Sequence, residues 1–360
     1  MKKTLISLAI AGLPLVAMAD VTLYGNIKMG AETSMVEGTE TQNEVTRTNI
    51  DDLGSYIGFK GTEDLGGDLK AMWQVETRLS IDSATNGANG QSFSTLRDSF
   101  VGLQSASFGS LQLGVLSNFA NKEQGTLDIW EYAQSTLGLA AYTSSQTRYD
   151  HAVRYMTPVM GGFQGFVQYG QQEAQAGEIV TETKYLDQAN RSLNAGLSYS
   201  IANVKLTYSY EDINTPSYLI SEVNAGMQTD YYSTNEQNHL VEVVYAANGL
   251  MMGVGYSDSK VDGLEVSVND SSDFSIHQKQ VAFSASYDIG SFTPKFSYAH
   301  GFGDVDYDQY ILGADYSLSK RTVVGLQYGL VNGEGLVYGS GSLVDVSDAQ
   351  SFGLNVVHKF

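Results

Sequence analysis

Residues 69–78 read LKAMWQVETR, and apolar and polar side chains alternate along them. One side carries Leu69, Ala71, Trp73 and Val75, and the other carries Lys70, Gln74, Glu76 and Arg78. Successive side chains of a β-strand point to opposite faces of the sheet, so a period of two indicates a strand. The stretch therefore predicts a strand that is apolar on one face and polar on the other.

The same period continues on both sides of this stretch. Residues 64–68 form a short turn that joins it to a second alternating stretch, Ser55–Glu63. No helical period of comparable length competes, so the whole sequence predicts sixteen strands. They lie at about 21–29, 55–63, 69–78, 98–105, 111–116, 151–157, 163–169, 192–200, 204–211, 239–246, 250–257, 278–287, 291–299, 308–317, 322–330 and 349–360.

The connections between these strands alternate in length. Short turns rich in Gly, Asn, Asp and Ser fall at 64–68, 107–110, 158–162, 201–203, 247–249, 288–290 and 318–320. Long polar loops fall near 30–54, 80–97, 117–148, 170–191, 212–238, 258–277, 300–307 and 331–348. Tight turns at one end and long loops at the other are typical of an outer-membrane barrel. A soluble secreted sandwich or propeller is the alternative, but Greek-key crossings would mix the two lengths.

A sheet in a membrane must leave no unpaired edge. Backbone groups find no water in the hydrocarbon region, so the last strand has to pair with the first. Sixteen strands enclose a bore that side chains do not fill, which leaves an aqueous channel. Tyrosines on the apolar face at strand ends fit an interfacial girdle, at Tyr169, Tyr199, Tyr245, Tyr256, Tyr287, Tyr298 and Tyr328. The sequence thus predicts an all-β fold, a 16-stranded antiparallel transmembrane β-barrel.

The first 19 residues have the composition of a secretory signal peptide. Lys2 and Lys3 precede an apolar run, Leu5–Val16, and Ala17-Met-Ala19 forms a small-residue cleavage site before Asp20. The apolar run is too short for a membrane-spanning helix. We therefore predict a signal peptide at 1–19, a barrel at 20–360 and a location in the cell outer membrane.

The composition excludes several kinds of function. Acidic residues outnumber Lys plus Arg by 40 to 20, so nucleic acid is a poor partner. The chain has no Cys and cannot depend on disulfides. Neither a Gly-x-Ser-x-Gly elbow nor a His-Glu-x-x-His motif occurs, and the five histidines are scattered. Asp304-x-Asp306-x-Asp308 resembles a calcium loop, but Gln309 replaces the required Gly. We expect no catalytic residues, no metal site and no cofactor.

One long connection, Ser117–Arg148, stands out among the loops. It is polar and carries three acidic residues, Glu123, Asp128 and Glu131, together with Trp130 and Tyr132. We call it the 117–148 segment. Our hypothesis is that it folds back into the bore of the barrel and narrows it, so that its acidic residues form a lip at the constriction.

Several motifs make the chain recognisable. They are Asp20-Val-Thr-Leu-Tyr-Gly25, Ile57-Gly-Phe-Lys-Gly-Thr-Glu-Asp-Leu-Gly66, the stretch 69–76, Ser99-Phe-Val-Gly-Leu103, Val153-Arg-Tyr-Met-Thr-Pro158 and His358-Lys-Phe360. Over essentially the whole mature chain the sequence resembles the Gram-negative general porin family of the neisserial and proteobacterial type. Its details are also similar to porins of vibrio-like bacteria.

This resemblance implies both assembly and function. It implies a homotrimer of 16-stranded barrels, each with its third outer loop folded inward, which here is the 117–148 segment. The function it implies is passive diffusion of ions and small hydrophilic solutes through a water-filled pore. The terminal aromatic residue, Phe360, corresponds to the tag that the barrel assembly machinery recognises.

The polar strand faces predict the charges of the channel. Strand parity and position assign a basic wall to Lys60, Arg78, Arg97, Arg148 and Arg154, opposite the acidic lip of the segment. Such opposed charges create a transverse field and bias ion passage. The chain departs from the family pattern by Tyr56 and Val115, where Arg is usual, so the wall has lost positive charge. We therefore predict a modest cation preference.

Two alternatives to a simple diffusion channel remain open. An oligosaccharide-specific channel would need an aromatic track, for which Tyr56, Trp130 and Tyr132 are the candidates. An adhesin or phage-receptor role of the outer loops can coexist with transport. Lipopolysaccharide is the expected lipid partner of an outer-membrane protein with acidic outer loops.

Overall fold

The structure is a computed structural model, and it describes residues 21–36, 45–82, 93–119, 127–132, 136–139, 141–142, 148–172, 190–222, 229–266, 271–334, 336–339, 342–345 and 348–360. The predicted signal peptide, residues 1–19, lies outside these ranges, and so does Glu123. In the described part of the chain, no helix has the length and apolar character needed to cross a bilayer.

The described residues form twenty strands. They are β1 (Thr22–Val36), β2 (Val45–Asp52), β3 (Tyr56–Gly66), β4 (Leu69–Leu79), β5 (Phe93–Leu96), β6 (Ser99–Ser105), β7 (Gly109–Ser117), β8 (Arg148–Met156), β9 (Phe163–Gln172), β10 (Asn190–Ile201), β11 (Val204–Glu222), β12 (Thr229–Ala247), β13 (Leu250–Val266), β14 (Ser271–Tyr287), β15 (Phe292–Gly303), β16 (Asp306–Ser317), β17 (Thr322–Glu334), β18 (Leu336–Gly339), β19 (Ser342–Asp345) and β20 (Ala349–Lys359).

These strands build a closed antiparallel barrel of sixteen. β2 and β3 are two parts of one barrel strand, because both pair with β1, and β5 and β6 likewise both pair with β4. β18 and β19 form a separate hairpin. β20 pairs with β1 from Asn26 opposite Lys359 to Val36 opposite Ala349, which closes the ring. The predicted 16-stranded antiparallel barrel is confirmed.

The two faces of the wall have the polarity of a membrane barrel. On β15, Phe296 is exposed, whereas its neighbours Lys295 and Ser297 are buried. On β16, Leu312 is 64% exposed and Gln309 only 3%. Apolar side chains therefore point outward and polar side chains inward, the reverse of a soluble protein.

The strands β11 to β14 are longer than the sequence predicted. The segments 212–238 and 258–277 were predicted as loops, but most of their residues continue the ladders, as in the pairing of Tyr231 with Val266. A membrane strand needs only about 9–11 residues, so the extra length projects beyond the bilayer. Both faces of the extensions carry mainly polar side chains, as at Glu236 and Gln237, so the alternation of apolar and polar residues on which the prediction relied ends there. The loop prediction was wrong at these two places, and also at 30–54, 300–307 and 331–348, where most residues lie in strands.

The tight turns have the expected backbone geometry, with one exception in composition. Asn248 and Gly249 join β12 to β13 with φ angles of 53° and 79°, and Ala202 begins the equivalent β10–β11 turn with φ 50°. Asn and Gly tolerate positive φ, whereas Ala is strained there.

Replacing Ala202 with Asn should therefore stabilise the barrel by about 1 kcal/mol, because the strain at this position is relieved. The measurement is the temperature at which the folded barrel unfolds in detergent. Asn248→Ala, the reverse exchange at the matching turn, should lower that temperature by a similar amount. Equal shifts of the same sign for both variants would contradict the strain argument.

Candidate functional site

Residues 127–130 of the 117–148 segment lie against the inner face of β14 and β15. Leu127 accepts a hydrogen bond on its carbonyl oxygen from Ser284 Oγ at 2.5 Å. Trp130 donates from Nε1 to Ser297 Oγ at 2.9 Å, and Lys295 Nζ donates to the Ile129 carbonyl at 2.9 Å. Inward-facing polar side chains of the wall thus satisfy backbone carbonyl groups of the segment at residues 127 and 129.

Residues 132, 137 and 138 of the segment are held by β16, β17 and the β1–β20 seam. Gln309 Nε2 donates to the Gly138 carbonyl at 2.8 Å, and Gln327 Nε2 donates to the Leu137 carbonyl at 2.9 Å. The Tyr132 hydroxyl lies 3.1 Å from the Ala31 carbonyl and 2.9 Å from the Leu354 carbonyl, one on each side of the β1–β20 seam. The described parts of the segment are therefore fixed around much of the inner wall.

Apolar side chains of the segment pack against the wall. The buried ones are Leu127, Leu137, Leu139 and Tyr142, each no more than 1% exposed. Gly255 of β13 leaves room for two of them, because a β-carbon there would overlap the Tyr142 hydroxyl and approach Leu127 Cδ1 to 2.6 Å. The fit between segment and wall is thus close-packed rather than loose.

The acidic residues of the segment have different surroundings. Glu131 Oε2 forms an ion pair with Lys28 Nζ of β1 at 2.6 Å, and both side chains remain partly exposed. Asp128 accepts a hydrogen bond from the Trp130 backbone N–H at 3.3 Å. Asp128 keeps some surface exposure but lies deep inside the barrel, where loss of hydration raises the pKa of its carboxyl group to about 6.

A group of charged and aromatic side chains covers the inner face of β1, β3 and β4. It comprises Tyr24, Tyr56, Lys60, Glu76 and Arg97, and we call it the Glu76 cluster. Glu76 accepts a hydrogen bond from the Tyr24 hydroxyl at 2.9 Å and forms an ion pair with Arg97. The Arg97 guanidinium lies 4.8 Å from the centre of the Tyr56 ring, and Lys60 Nζ lies 4.9 Å from that of Tyr24. Both contacts are within cation–π range.

The other predicted basic residues differ in their burial and in their contacts. Arg148 Nε lies 3.5 Å from Asp98 Oδ1 and interacts electrostatically with Arg97. Arg78 is exposed on β4. Arg154 is only 1% exposed, donates from Nε to Gln168 Oε1 at 2.7 Å and also donates to the Ser117 carbonyl. Arg154 therefore holds the start of the 117–148 segment, while the remaining basic residues keep contact with solvent.

Two wall residues with clear contacts were absent from the predicted site. Tyr24 could have been found, because it alternates in step with Lys28 along β1. Asp98 lies in the break between β5 and β6, where it accepts hydrogen bonds from the backbone N–H and the hydroxyl of Ser117. No local sequence pattern indicates that contact.

The three aromatic candidates for solute contact are not equally accessible. Trp130 is 7% exposed, with Lys295 Nζ 4.6 Å from its ring centre, and Tyr132 is 3% exposed. Both rings therefore face the wall. Tyr56 stays half-exposed beside Tyr24, with ring centres 6.3 Å apart in an edge arrangement. This pair therefore presents aromatic surface to the bore.

Inner-wall carboxylates also contact the ends of the segment. Glu242 accepts a hydrogen bond from the Tyr142 hydroxyl at 3.1 Å, and Glu211 accepts one from Asn118 Nδ2 at 2.8 Å and another from Tyr149. In the part of the chain covered by the structure, no group of three or more His, Cys, Asp or Glu side chains could hold a metal ion.

The C-terminal residue closes the barrel at the end of the tight turns. Phe360 exchanges two backbone hydrogen bonds with Gly25, each of 3.1 Å, and its side chain is 37% exposed. Its ring lies on the outward face in line with Phe352, Leu354 and Val356, which are also exposed. An exposed aromatic residue at the end of the last strand is thus available for contact.

Comparisons with known proteins agree with this geometry. A family model described as Gram-negative porin matches residues 5–336. The major outer membrane protein P.IB of Neisseria meningitidis serogroup B is 36% identical over 371 aligned residues that cover 100% of both chains.

Solved structures show the same fold. An anion-selective porin from Comamonas acidovorans has a TM-score of 0.67 and 18% identity, covering 95% of this chain and 100% of that one. The trimer form of OmpT from Vibrio cholerae has a TM-score of 0.66 and 14% identity, covering 95% and 99%. At these identities the two structures support the barrel architecture alone.

Proposed function

The chain belongs to the Gram-negative porin family and is an outer-membrane diffusion channel, and we propose that it passes cations more readily than anions. The observation that carries this is the ion pairing of three basic side chains inside the barrel. Arg97, Arg148 and Lys28 each face a carboxylate, from Glu76, Asp98 and Glu131. Their charge is largely cancelled, so the field of a chain with formal net charge −20 dominates.

The test is a reversal potential across a planar bilayer with a KCl gradient. A cation preference gives a reversal potential of the sign set by K⁺. The preference should weaken at high salt, because the Debye length falls to about 3 Å at 1 M. A potential of the sign set by Cl⁻ would overturn the proposal.

The 117–148 segment is, in this proposal, the narrowest part of the passage. Its contacts with β14 to β17 support this, because they hold it inside the wall. The segment brings Glu131 close enough to Tyr56 for an electrostatic interaction, which sets an acidic residue across from the Glu76 cluster. Solutes would pass between these two groups without any chemical change, so we expect no catalysis.

Ion preference should depend on pH through Asp128. Its carboxyl group, with a pKa of about 6, is charged at pH 7 and mostly neutral at pH 5. The cation preference should therefore decrease between pH 7 and pH 5, as measured by reversal potential. In Asp128→Asn this component of the decrease should disappear, and an unchanged pH profile in the variant would contradict the assignment.

The same raised pKa predicts a small effect on stability. The folded barrel binds this proton more tightly than the unfolded chain, whose Asp has a pKa near 3.8. The contribution of Asp128 to stability should thus fall as the pH rises from about 4 to 6 and stay low above that range.

A saccharide-specific channel is the second candidate. The Tyr24–Tyr56 pair favours it, because aromatic faces stack on sugar rings and this pair is open to the bore. Conductance that saturates and is blocked by added oligosaccharide would support it. Conductance that rises linearly with salt and ignores sugars would support general diffusion.

Assembly is part of the same proposal. The trimer form of the Vibrio cholerae neighbour supports a homotrimer, to be tested by the mass of the purified protein in detergent.

We also propose that Phe360 is recognised by the barrel assembly machinery and that cleavage after Ala19 leaves Asp20 as the first residue. Deleting Phe360 should reduce the amount of folded protein in the outer membrane, and N-terminal sequencing of that protein tests the cleavage.

A further inference from the structure

Asp98 is a carboxylate of the inner wall, in the break between β5 and β6. Val101 and Leu103, which follow it on β6, are exposed on the outward face of the barrel. Side chains alternate between the two faces of a strand, so Asp98 belongs to the inward set. Its side chain is 16% exposed, and the Asp98 carboxylate therefore meets the water of the bore.

The backbone at Asp98 is held against β4. Gln74 Nε2 donates a hydrogen bond to the Asp98 carbonyl at 2.9 Å, and the Arg97 backbone N–H donates to the Glu76 carbonyl at 2.8 Å. The negative charge of Asp98 also acts on Tyr24, a member of the Glu76 cluster. The position of the Asp98 carboxylate beside that cluster is thus fixed by the wall itself.

Asp98 acts on two arginines of β8. Arg148 Nε lies 3.5 Å from Asp98 Oδ1, and the buried Arg154 interacts with Asp98 electrostatically. Glu76, the neighbouring carboxylate, forms its ion pair with Arg97. Arg97 in turn acts on Arg148 as a like charge. Asp98 therefore offsets the positive charge on the β8 side of the passage.

The charges on this side of the passage are unequal in number. Three arginines stand against two carboxylates, and the five residues are Arg97, Arg148, Arg154, Glu76 and Asp98. Without the charge of Asp98, three positive charges would stand against one negative charge. A surplus of positive charge along an aqueous passage favours anions over cations.

We propose that Asp98 is a specificity-determining residue of the channel, because its charge offsets those of Arg148 and Arg154 and so keeps the passage favourable to cations. This inference rests on the proposed function, since it concerns the ion preference of the same channel. Asp98 also accepts hydrogen bonds from the backbone N–H and the hydroxyl of Ser117. A role as an anchor of the 117–148 segment alone is the alternative that the experiment has to separate.

The test compares the K⁺/Cl⁻ permeability ratio of variants, obtained from reversal potentials in a KCl gradient. Asp98→Asn removes the charge and keeps an amide oxygen that accepts the bond from the Ser117 N–H. The ratio should fall about twofold relative to the parent, because one negative charge is lost from the passage and salt screens part of its effect. Asp98→Glu keeps the charge and should give a ratio close to that of the parent.

Asp68→Asn is the matched control. Asp68 also accepts hydrogen bonds from a serine hydroxyl and from a backbone N–H, those of Ser105 at 2.6 Å and Ser107 at 3.1 Å. It lies in the tight turn between β3 and β4, away from the 117–148 segment, so its loss should not lower the ratio. Ser117→Ala removes a hydroxyl bond and keeps the Asp98 charge, so it should alter the conductance without lowering the ratio.

Arg148→Gln tests the same argument in the opposite direction, and it also serves if Asp98→Asn fails to fold. Its permeability ratio should rise about twofold, because one positive charge is lost. An unchanged ratio in folded Asp98→Asn would overturn the proposal. An equal fall in Ser117→Ala or Asp68→Asn, or a ratio that does not rise in Arg148→Gln, would overturn it too.

The ion preference of the parent protein is judged separately. A parent channel that prefers Cl⁻ would overturn the proposed function. A twofold fall in Asp98→Asn relative to that parent would still support the influence of Asp98 on the passing ions. The two failures are therefore distinguishable in one set of recordings.

Discussion

Gly255→Ala should destabilise the barrel by about 2 kcal/mol, although Gly→Ala in a strand is usually favourable. The added methyl group would overlap the Tyr142 hydroxyl and press on Leu127, both of which are fully buried. Either the segment or β13 has to move. We expect the segment to move, because its described residues between β7 and β8 form no ladder of backbone hydrogen bonds.

The measurements are the unfolding temperature in detergent and the single-channel conductance. A displaced segment should give a conductance that differs from the parent value and fluctuates between levels. Gly165→Ala is the matched control, because the nearest atom to a β-carbon at that position is Thr157 Cγ2 at 3.6 Å, an ordinary contact. If both variants behave alike, the close packing at Gly255 does not hold the 117–148 segment in place.

Glu131→Gln should lower the K⁺/Cl⁻ permeability ratio about threefold. The substitution removes one negative charge from the passage and leaves Lys28, now 2.6 Å from a neutral group, without its counter-ion. In water a unit charge at about 6 Å shifts the free energy of an ion by about 0.7 kcal/mol, with opposite sign for cation and anion. Salt screening reduces the combined effect to the value expected here.

The double variant Glu131→Gln with Lys28→Met is the control for this experiment. It removes both charges and should return the ratio towards that of the parent, because the two substitutions change the charge of the passage in opposite directions. Reversal potentials of the four proteins complete the cycle. An unchanged K⁺/Cl⁻ permeability ratio in the single variant Glu131→Gln would show that this residue does not influence the passing ions.

The sequence predicted the barrel well because the membrane imposes a strict pattern on it. Each wall strand has to present apolar side chains such as Val254 or Phe283 to lipid, and alternation makes them visible. The extensions of β11 to β14 were missed, because Asn238 and Ser259 lie in stretches with no apolar face. The strands continue there through backbone hydrogen bonds. Residues of almost any type can form these bonds, so the composition does not indicate them.

The channel residues were predicted only in part, for a related reason. Parity places Lys60 and Glu76 on the inner face, and the structure agrees. Parity also places Arg154 there, but this side chain is buried where it donates a hydrogen bond to the carbonyl of Ser117, a residue distant in sequence. Whether an inward side chain meets water or protein depends on the path of the segment, and no local pattern describes that path.

The position of Tyr132 has a consequence for how the protein is built. Its hydroxyl reaches carbonyl groups at both extremities of the polypeptide, on Ala31 and on Leu354. The two carbonyl groups come together only when β1, near the N-terminus, has paired with β20, near the C-terminus. The pairing of β1 with β20 therefore has to form before the segment can make both contacts, so we expect the segment to dock only after the barrel has closed.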